Sequence, residues 1–480
     1  MSCRERSTLT RRRDKYTGVM RGADGLARPP AENSVGKRRY RDAEPRNHDR
    51  HLSKKQKLQL SDTETPIQKP LILHSSASSS QTHHIRRHQR HHGRRKSKSS
   101  GAQDFRKWVY SSRDLSGCKD TAVIVSYNIL GVENASNHLD LYSDISPKFL
   151  DWHHRKKLLC KEISQYNANI LCFQEVDRFH DLDKLLRKDG FQGVYQARTG
   201  EACDGCAIFW KSEMFTLLHL KNIEFQKFGL RNNVAQLCVL KMNQSPSISG
   251  LDTQTSEACL SRTFLVGNIH VLFNPNRGDI KIGQIRLFLE KAHELSEEWG
   301  SIPVVLAGDF NSTPLSAVYQ FLASSVLDLE KHDRRKMSGQ ICPLEYEAFR
   351  SRNNYASSSW NSTSKSLIYR WSDQELRIAT GAGGLTCITH PLKLCSAYLG
   401  VHGSCRTRDN YGEPLATSYH SKFMGTVDYI WHSQELIPVR VLDTLPIDIL
   451  RKNGGLPSKD WGSDHLALVC ELAFADNGNG

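Results

Sequence analysis

Six short apolar runs in this chain end in, or lead directly into, an Asn, Glu, Asp or His. They are Ser126-Tyr127-Asn128, Phe173-Gln174-Glu175, Asn268-Ile269-His270, Gly308-Asp309-Phe310-Asn311, Val427-Asp428-Tyr429 and Ser463-Asp464-His465. A carboxylate at the tip of a buried strand is costly to desolvate, so without a use it should be rare there. Taken singly, each tip also reads as a turn residue or a helix cap. Asp309 and Asn311, followed by Thr313-Pro314, would suit the start of a helix at Leu315. Six such tips in one region at mutually consistent places instead call for strands that bring their polar ends together.

The runs themselves set the fold class. Thr121–Ser126, Asn169–Gln174, Cys206–Trp210, Ala235–Lys241, Thr263–His270, Pro303–Ala307, Val427–Trp431 and Leu466–Leu472 have the length and apolar character of buried strands. Helical spacing intervenes over Trp152–Tyr166, near Asp181–Lys188 and over Ile280–Trp299. Strands alternating with helices predict an α/β domain, which the pattern places at residues 119–475. Two polar stretches, about 245–261 and 337–377, break the alternation and read as surface insertions.

Residues 1–118 differ in kind. Of the chain's 66 Lys+Arg and 51 Asp+Glu, 25 and 9 fall in residues 1–100, which leaves 41 and 42 for the rest. The net charge of +15 is therefore +16 on this arm and −1 beyond it. Clusters at Arg11–Arg13, Lys37–Arg39 and Lys54–Lys57, then Ser75–Ser80 and the basic run His83–Lys98, predict a disordered basic arm with too little apolar surface to offset ordering. The arm reads as a nuclear-import signal, as a tail that holds RNA phosphates by charge, or as a presequence, the last opposed by the early Glu5, Asp14 and Asp24. The expected localisation is nucleus and cytoplasm. No uninterrupted apolar run is long enough to predict a membrane helix. Thirteen cysteines without a repeating spacing suit reduced thiols. The pair Cys203 and Cys206 lacks the matching ligands of a zinc site, and Cys206 reads better as the start of a strand.

The polar tips suit phosphodiester hydrolysis. Magnesium takes hard oxygen ligands and keeps most of its waters, and Glu175, helped by Asn128 and Asp464, has the right chemistry. Hydrolysis also needs a base for water and donors for the developing charge. Asp309 can supply the base, Asn311 a neutral donor, and His270 and His465 donors to the phosphoryl oxygens. No Cys or Ser nucleophile with an adjacent base is evident, which favours direct attack by water.

The motifs SYNIL (126–130), FQEVD (173–177), DGCAIF (204–209), NIHVLFNPNRGDIKIGQ (268–284), GDFNSTP (308–314), VDYIW (427–431) and SDHLAL (463–468) occur in this order. Together they resemble the endonuclease/exonuclease/phosphatase superfamily, and within it the deadenylase branch with carbon catabolite repressor 4, nocturnin and Angel; the plant carbon catabolite repressor 4 homologues are most similar. The resemblance implies a four-layered sandwich, two mixed β-sheets flanked by helices, with the site at one end. It implies that Glu175 is the central magnesium ligand with Asn128 and Asp464 nearby, one or two ions being held and manganese able to substitute. Asp309 would activate water, Asn311 and Asp428 would shape the phosphate site, and His270 and His465 would stabilise the transition state. Pro275 and Phe423, with Asn311, occupy positions that contact adenine in poly(A)-degrading members, although Phe423 is also accounted for by packing beside its strand. The yeast-type leucine-rich repeat that docks such a nuclease to its deadenylase complex has no counterpart before residue 120.

The expected activity is magnesium-dependent 3′→5′ trimming of poly(A) tails on single-stranded RNA, releasing 5′-AMP. Removal of 2′,3′-cyclic phosphates from RNA and dephosphorylation of a dinucleotide cofactor use the same apparatus. A catalytically silent scaffold of mRNA decay is opposed by the intact polar set, and a DNA-repair endonuclease by Pro275 and Phe423.

Overall fold

The computed structural model describes residues 106–475 apart from 114, 116, 117, 119, 244–261 and 341–370. The arm through residue 105 and the polar stretch 245–261 therefore lie outside the described residues.

Two large mixed sheets form the centre. The first has the spatial order β1 (Trp108–Tyr110), β12 (Leu436–Leu442), β13 (Leu468–Phe474), β2 (Thr121–Asn128), β3 (Ile170–Gln174), β5 (Gly205–Lys211) and β4 (Phe191–Ala197). The second runs β10 (Leu394–Ser396), β11 (Asp428–Ser433), β9 (Val304–Asp309), β8 (Thr263–His270), β7 (Val234–Met242) and β6 (Phe215–Glu224). The pairs β2/β3 and β8/β9 are parallel, and the other neighbours are antiparallel.

Alternation along each strand builds the layers. Ala122 and Ile124 of β2 join Ile170, Cys172 and Ile208 in a core that meets Cys238, Leu240, Phe264, Val266, Val305 and Ala307 of the second sheet. After the short helix α1 (Val132–Asn137) comes α2 (Trp152–Ile163), and Val123, Val125 and Tyr127 turn the other way, onto its Leu159 and Ile163 and onto Leu182 and Leu186 of α3 (Phe179–Leu186). The second sheet turns Leu237, Leu265, Ile269 and Leu306 onto α4 (Gly278–Glu298) and α5 (Ala317–Ser324). Helix, sheet, sheet, helix is the expected four-layered sandwich. Strands covered on both faces have no polar face to show, which is why they read as continuous apolar runs. Polar side chains also bridge the two sheets. Asn268, fully buried, donates to the carbonyls of Phe173 (2.9 Å) and Ala207 (3.0 Å) and accepts from Gln174 Nε2 (2.8 Å).

Two boundaries differ from the sequence expectation. The folded region begins before residue 119, because β1 pairs with β12 and the Arg106 guanidinium is buried against Glu162 (3.1 Å), the Tyr166 hydroxyl and two backbone carbonyls. A single buried arginine at the end of a basic tract leaves no pattern to read. At the second polar stretch, Met337 is fully buried, and Ser372 caps helix Asp373–Thr380 through a capping box with Glu375. Only 341–370 of that stretch lies outside the described residues. Strands β4, β6 and β12, absent from the sequence reading, carry many half-exposed residues; β4 and β6 are sheet edges.

Candidate active site

Strand register gathers the six tips. Parallel pairing of β8 with β9 sets His270 beside Asp309, and antiparallel pairing of β9 with β11 sets Asp428 on its other side. In the first sheet, Asn128 lies opposite Gln174, so Glu175 follows just past the end of β3. Leu468 pairs with Ser126, which carries Asp464 and His465 to the same end. Glu175, His270, Asp309, Asn311, Asp464 and His465 thus line one cavity of about 210 Å³, with Asn128 and Asp428 buried close behind them. A larger hollow of about 590 Å³ lies at the opposite end of β3, lined by Asn169 and Lys211 among others, and holds none of these groups.

The turns that present the side chains are strained. Leu130, Glu175 and Asn311 adopt φ of 57°, 57° and 46°, a left-handed conformation costing a non-glycine residue on the order of 1 kcal/mol. At Gly308, with φ of 152°, an added Cβ would sit 2.1 Å from the Ile269 carbonyl oxygen, so only glycine lets β9 approach β8 just before Asp309. The helix expected at Leu315 begins at Ala317 and is capped by Ser316, which leaves Asp309 and Asn311 to the site.

Glu175 is held as an anion. Burial would raise its carboxyl, but nearby His270 and hydrogen bonds from Asn134 Nδ2 (2.8 Å), Asn128 Nδ2 (3.1 Å) and the Gly131 N–H (3.0 Å) bring it down to about 2. Asn128 Nδ2 also donates to Asp309 Oδ2 (3.1 Å), while its Oδ1 accepts from the Leu130 N–H. Asn128, expected as a metal neighbour, therefore bridges two carboxylates through its nitrogen. Burial, and then the charge of Asp428, push the Asp309 carboxyl up, against the pull of His465 and His270. His270 Nε2 and His465 Nε2 stand 3.6 and 3.9 Å from Asp309 Oδ2. Burial drives His270 down. Burial also opposes protonation of His465, yet Asp428 (2.9 Å from Nδ1), Asp464 and Asp309 hold it well above the ordinary imidazole range. Asp464 Oδ2 accepts from the Tyr142 hydroxyl (2.9 Å), and Asn311 Nδ2 donates to the Val271 carbonyl (3.0 Å).

The donor set fits a hard divalent cation. Glu175 stays ionised, Asp428 Oδ1 is buried without a partner, and single ligand atoms of Asp309, Asp428 and His465 lie within 4.8 Å of one another. Of the expected adenine contacts, Phe423 lines the cavity, whereas Pro275 is buried in the turn before α4 and does not. Phe273, 48% exposed, faces the cavity instead. Asn134, Tyr142, Arg198 and His420 also belong to this neighbourhood, unforeseen in the sequence. All four lie in loops or short elements without periodicity, and none ends an apolar run.

A sandwich of two mixed sheets with this acid, amide and imidazole cluster at one end defines a hydrolase of phosphate esters. The chain belongs to the endonuclease/exonuclease/phosphatase family, whose model matches residues 125–465. It is 60% identical over 373 residues to carbon catabolite repressor protein 4 homolog 5 of Arabidopsis thaliana, covering 78% of this chain and 81% of the relative. Against the CCR4-Not complex 3′-5′-exoribonuclease subunit Ccr4 of Yarrowia lipolytica, identity is 27% over 397 residues, 74% of this chain and 48% of that protein. The solved structure of ANGEL2, a 2′,3′-cyclic phosphatase, in complex with adenosine-2′,3′-vanadate, superposes with a TM-score of 0.60 at 27% identity, covering 77% of this chain and 98% of that one. These relatives support a nuclease or phosphatase of the deadenylase type. No described helix is long and apolar enough to cross a membrane.

Proposed function

We propose that this chain is a magnesium-dependent 3′→5′ exoribonuclease that shortens poly(A) and releases 5′-AMP. The observation that carries the reading is Asp309 between His270 and the Asp428–His465 pair, in one cavity with Glu175 and the aromatic ring of Phe423. Magnesium, when bound at Glu175 with Asp464 nearby, would supply positive charge against the scissile phosphate. Asp309, its affinity for a proton raised, takes the proton of the attacking water. A new O–P bond forms as the bond from phosphorus to the 3′ oxygen of the preceding nucleotide breaks, leaving 5′-AMP and a 3′ oxygen that takes a proton from solvent water to become a fresh 3′ hydroxyl. His465, protonated and oriented by Asp428, donates Nε2–H to a phosphoryl oxygen. Neutral His270 and the Asn311 amide flank the same group. Phe423 offers a face for base stacking.

A second reading, removal of a 2′,3′-cyclic phosphate from an RNA end, draws on the likeness to ANGEL2. One assay separates the two: magnesium with 3′-oligo(A) RNA, a 2′,3′-cyclic-ended RNA and NADPH. Consumption of oligo(A) with release of 5′-AMP is expected. Glu175→Gln should reduce turnover on the order of 10³-fold with little change in thermal stability. Full activity in that variant would overturn the site, and faster loss of the cyclic phosphate would select the second reading. The basic arm supports residence in nucleus and cytoplasm, to be tested by following fluorescent fusions with and without residues 1–100.

A further inference from the structure

Beside the catalytic cavity lies a second hollow of about 310 Å³, lined by Arg198, Arg231, Arg277, Asn232, Asn274 and the shared Asn233 and Leu272. Arg198, Asn233 and Leu272 belong to both walls, so the two spaces adjoin. Three arginines from three loops meet here: after β4, between β6 and β7, and between β8 and α4.

Their charges are not equally spent. Arg277 is clamped to Asp279 through two hydrogen bonds, Nε at 3.0 Å and Nη2 at 2.7 Å. Arg198 donates Nη1 to Asp204 at 3.1 Å, yet its buried Nε has no partner. Arg231 is exposed, and among the described residues no carboxylate forms an ion pair with it. It also adopts a φ of 69°, which disfavours any residue with a Cβ. A strained, exposed arginine beside two anchored ones presents charge-assisted donors to a tetrahedral anion. Asn232, Asn233 and Asn274 on the same wall supply neutral amides.

We propose that this hollow is a second anion subsite, which holds a phosphate of the substrate other than the one being hydrolysed. The inference rests on the phosphodiesterase reading of the adjoining cavity. The ligand is a phosphate monoester or diester carried on the same molecule. In single-stranded RNA it is a backbone phosphate upstream of the scissile one; in a dinucleotide cofactor that loses its terminal phosphate it is the bridging diphosphate. Held there, it fixes the register of the strand, so that substrates with a second phosphate outcompete those with one.

The test compares wild type with Arg231→Asn, a residue that tolerates the left-handed backbone and carries no charge. Substrates are ApA, with one phosphodiester, the hexanucleotide (A)6, and NADPH. The ratio of kcat/KM for (A)6 over ApA should fall about tenfold in the variant, as expected for one charge-assisted contact. The slope of log kcat/KM for (A)6 against log salt should flatten by about 0.7, the value for one phosphate on a single strand. An unchanged ratio and slope would overturn the subsite while leaving the exonuclease reading standing. If NADPH alone is consumed and Arg231→Asn weakens that reaction, the subsite stands and the exonuclease reading falls. Should the wild type turn over none of the three, binding of fluorescent (A)6 to Glu175→Gln decides. A tenfold weaker Kd when Arg231→Asn is added supports the subsite, and an equal Kd overturns it.

Discussion

Removing Arg106 should unfasten the start of the domain, and the structure sets the scale. The guanidinium and the Glu162 carboxylate are each only 4% exposed and lie 3.1 Å apart. Arg106 Nε also donates to the Asp443 carbonyl (3.0 Å) and Nη1 to the Tyr166 hydroxyl (2.9 Å). Glu162 meanwhile accepts from the hydroxyls of Tyr127 and Tyr166. Breaking a buried pair by deleting one partner costs about 3–5 kcal/mol, because the other charge is left without compensation. That is a large part of the about 5–15 kcal/mol that keeps a typical domain folded. Burial already raises the Glu162 carboxyl, with Arg106 as the main opposing influence, so its loss raises that group further. A carboxyl raised by folding contributes stability at low pH that disappears as pH climbs through its folded pKa. The deficit of Arg106→Met should therefore widen from pH 5 to pH 8. Equilibrium denaturation would be measured on chains beginning at residue 106 and at residue 119, and on full-length Arg106→Met. The first should match the full chain, and the other two should lose about 3 kcal/mol or more. Equal stability of the two truncations would refute the argument. Activity should follow stability here, because Tyr127, bonded to Glu162 at 2.9 Å, directly precedes Asn128 at the site.

A second pH effect should come from Glu413, which is buried, accepts from the Tyr319 hydroxyl at 2.8 Å, and is pushed by burial from 4.5 up to about 7. Folding thus favours its protonated form: that stability is complete below pH 4.5 and is lost as pH rises through 7. That preference is worth about 3 kcal/mol. Glu413→Gln should be more stable than wild type at pH 8.5, with the gap closing by pH 5 in denaturation curves; a gap that does not change with pH would contradict this. At the cavity, Phe423→Ala should lower kcat/KM for oligo(A) by about five- to 150-fold, the value of about 1–3 kcal/mol of base stacking, while sparing a minimal phosphodiester without a base. An equal loss on both substrates would assign Phe423 to packing.

Much of this protein is legible from its residues alone. The α/β class and the inner strands show as continuous apolar runs because a strand covered on both faces has no polar side to reveal. The eight polar residues at the six tips stand out because a carboxylate or imidazole at the end of such a run is too costly to leave unused. The edges were hidden for the opposite reason: β4 and β6 lie half in water, and their mixed side chains mimic loops. The site's inner arrangement depended on tertiary contacts. Register, a pairing across long stretches of chain, placed Asp309 between His270 and Asp428. Asn134, on a short helix, and Tyr142 and Arg198, in loops, were brought in by segments with no period to read. The loop between β8 and α4 sank Pro275 into the structure and left Phe273 facing the cavity. Burial along one strand is local and leaves its mark in composition. The meeting of distant loops is a property of the packed molecule, and only the folded chain decides it.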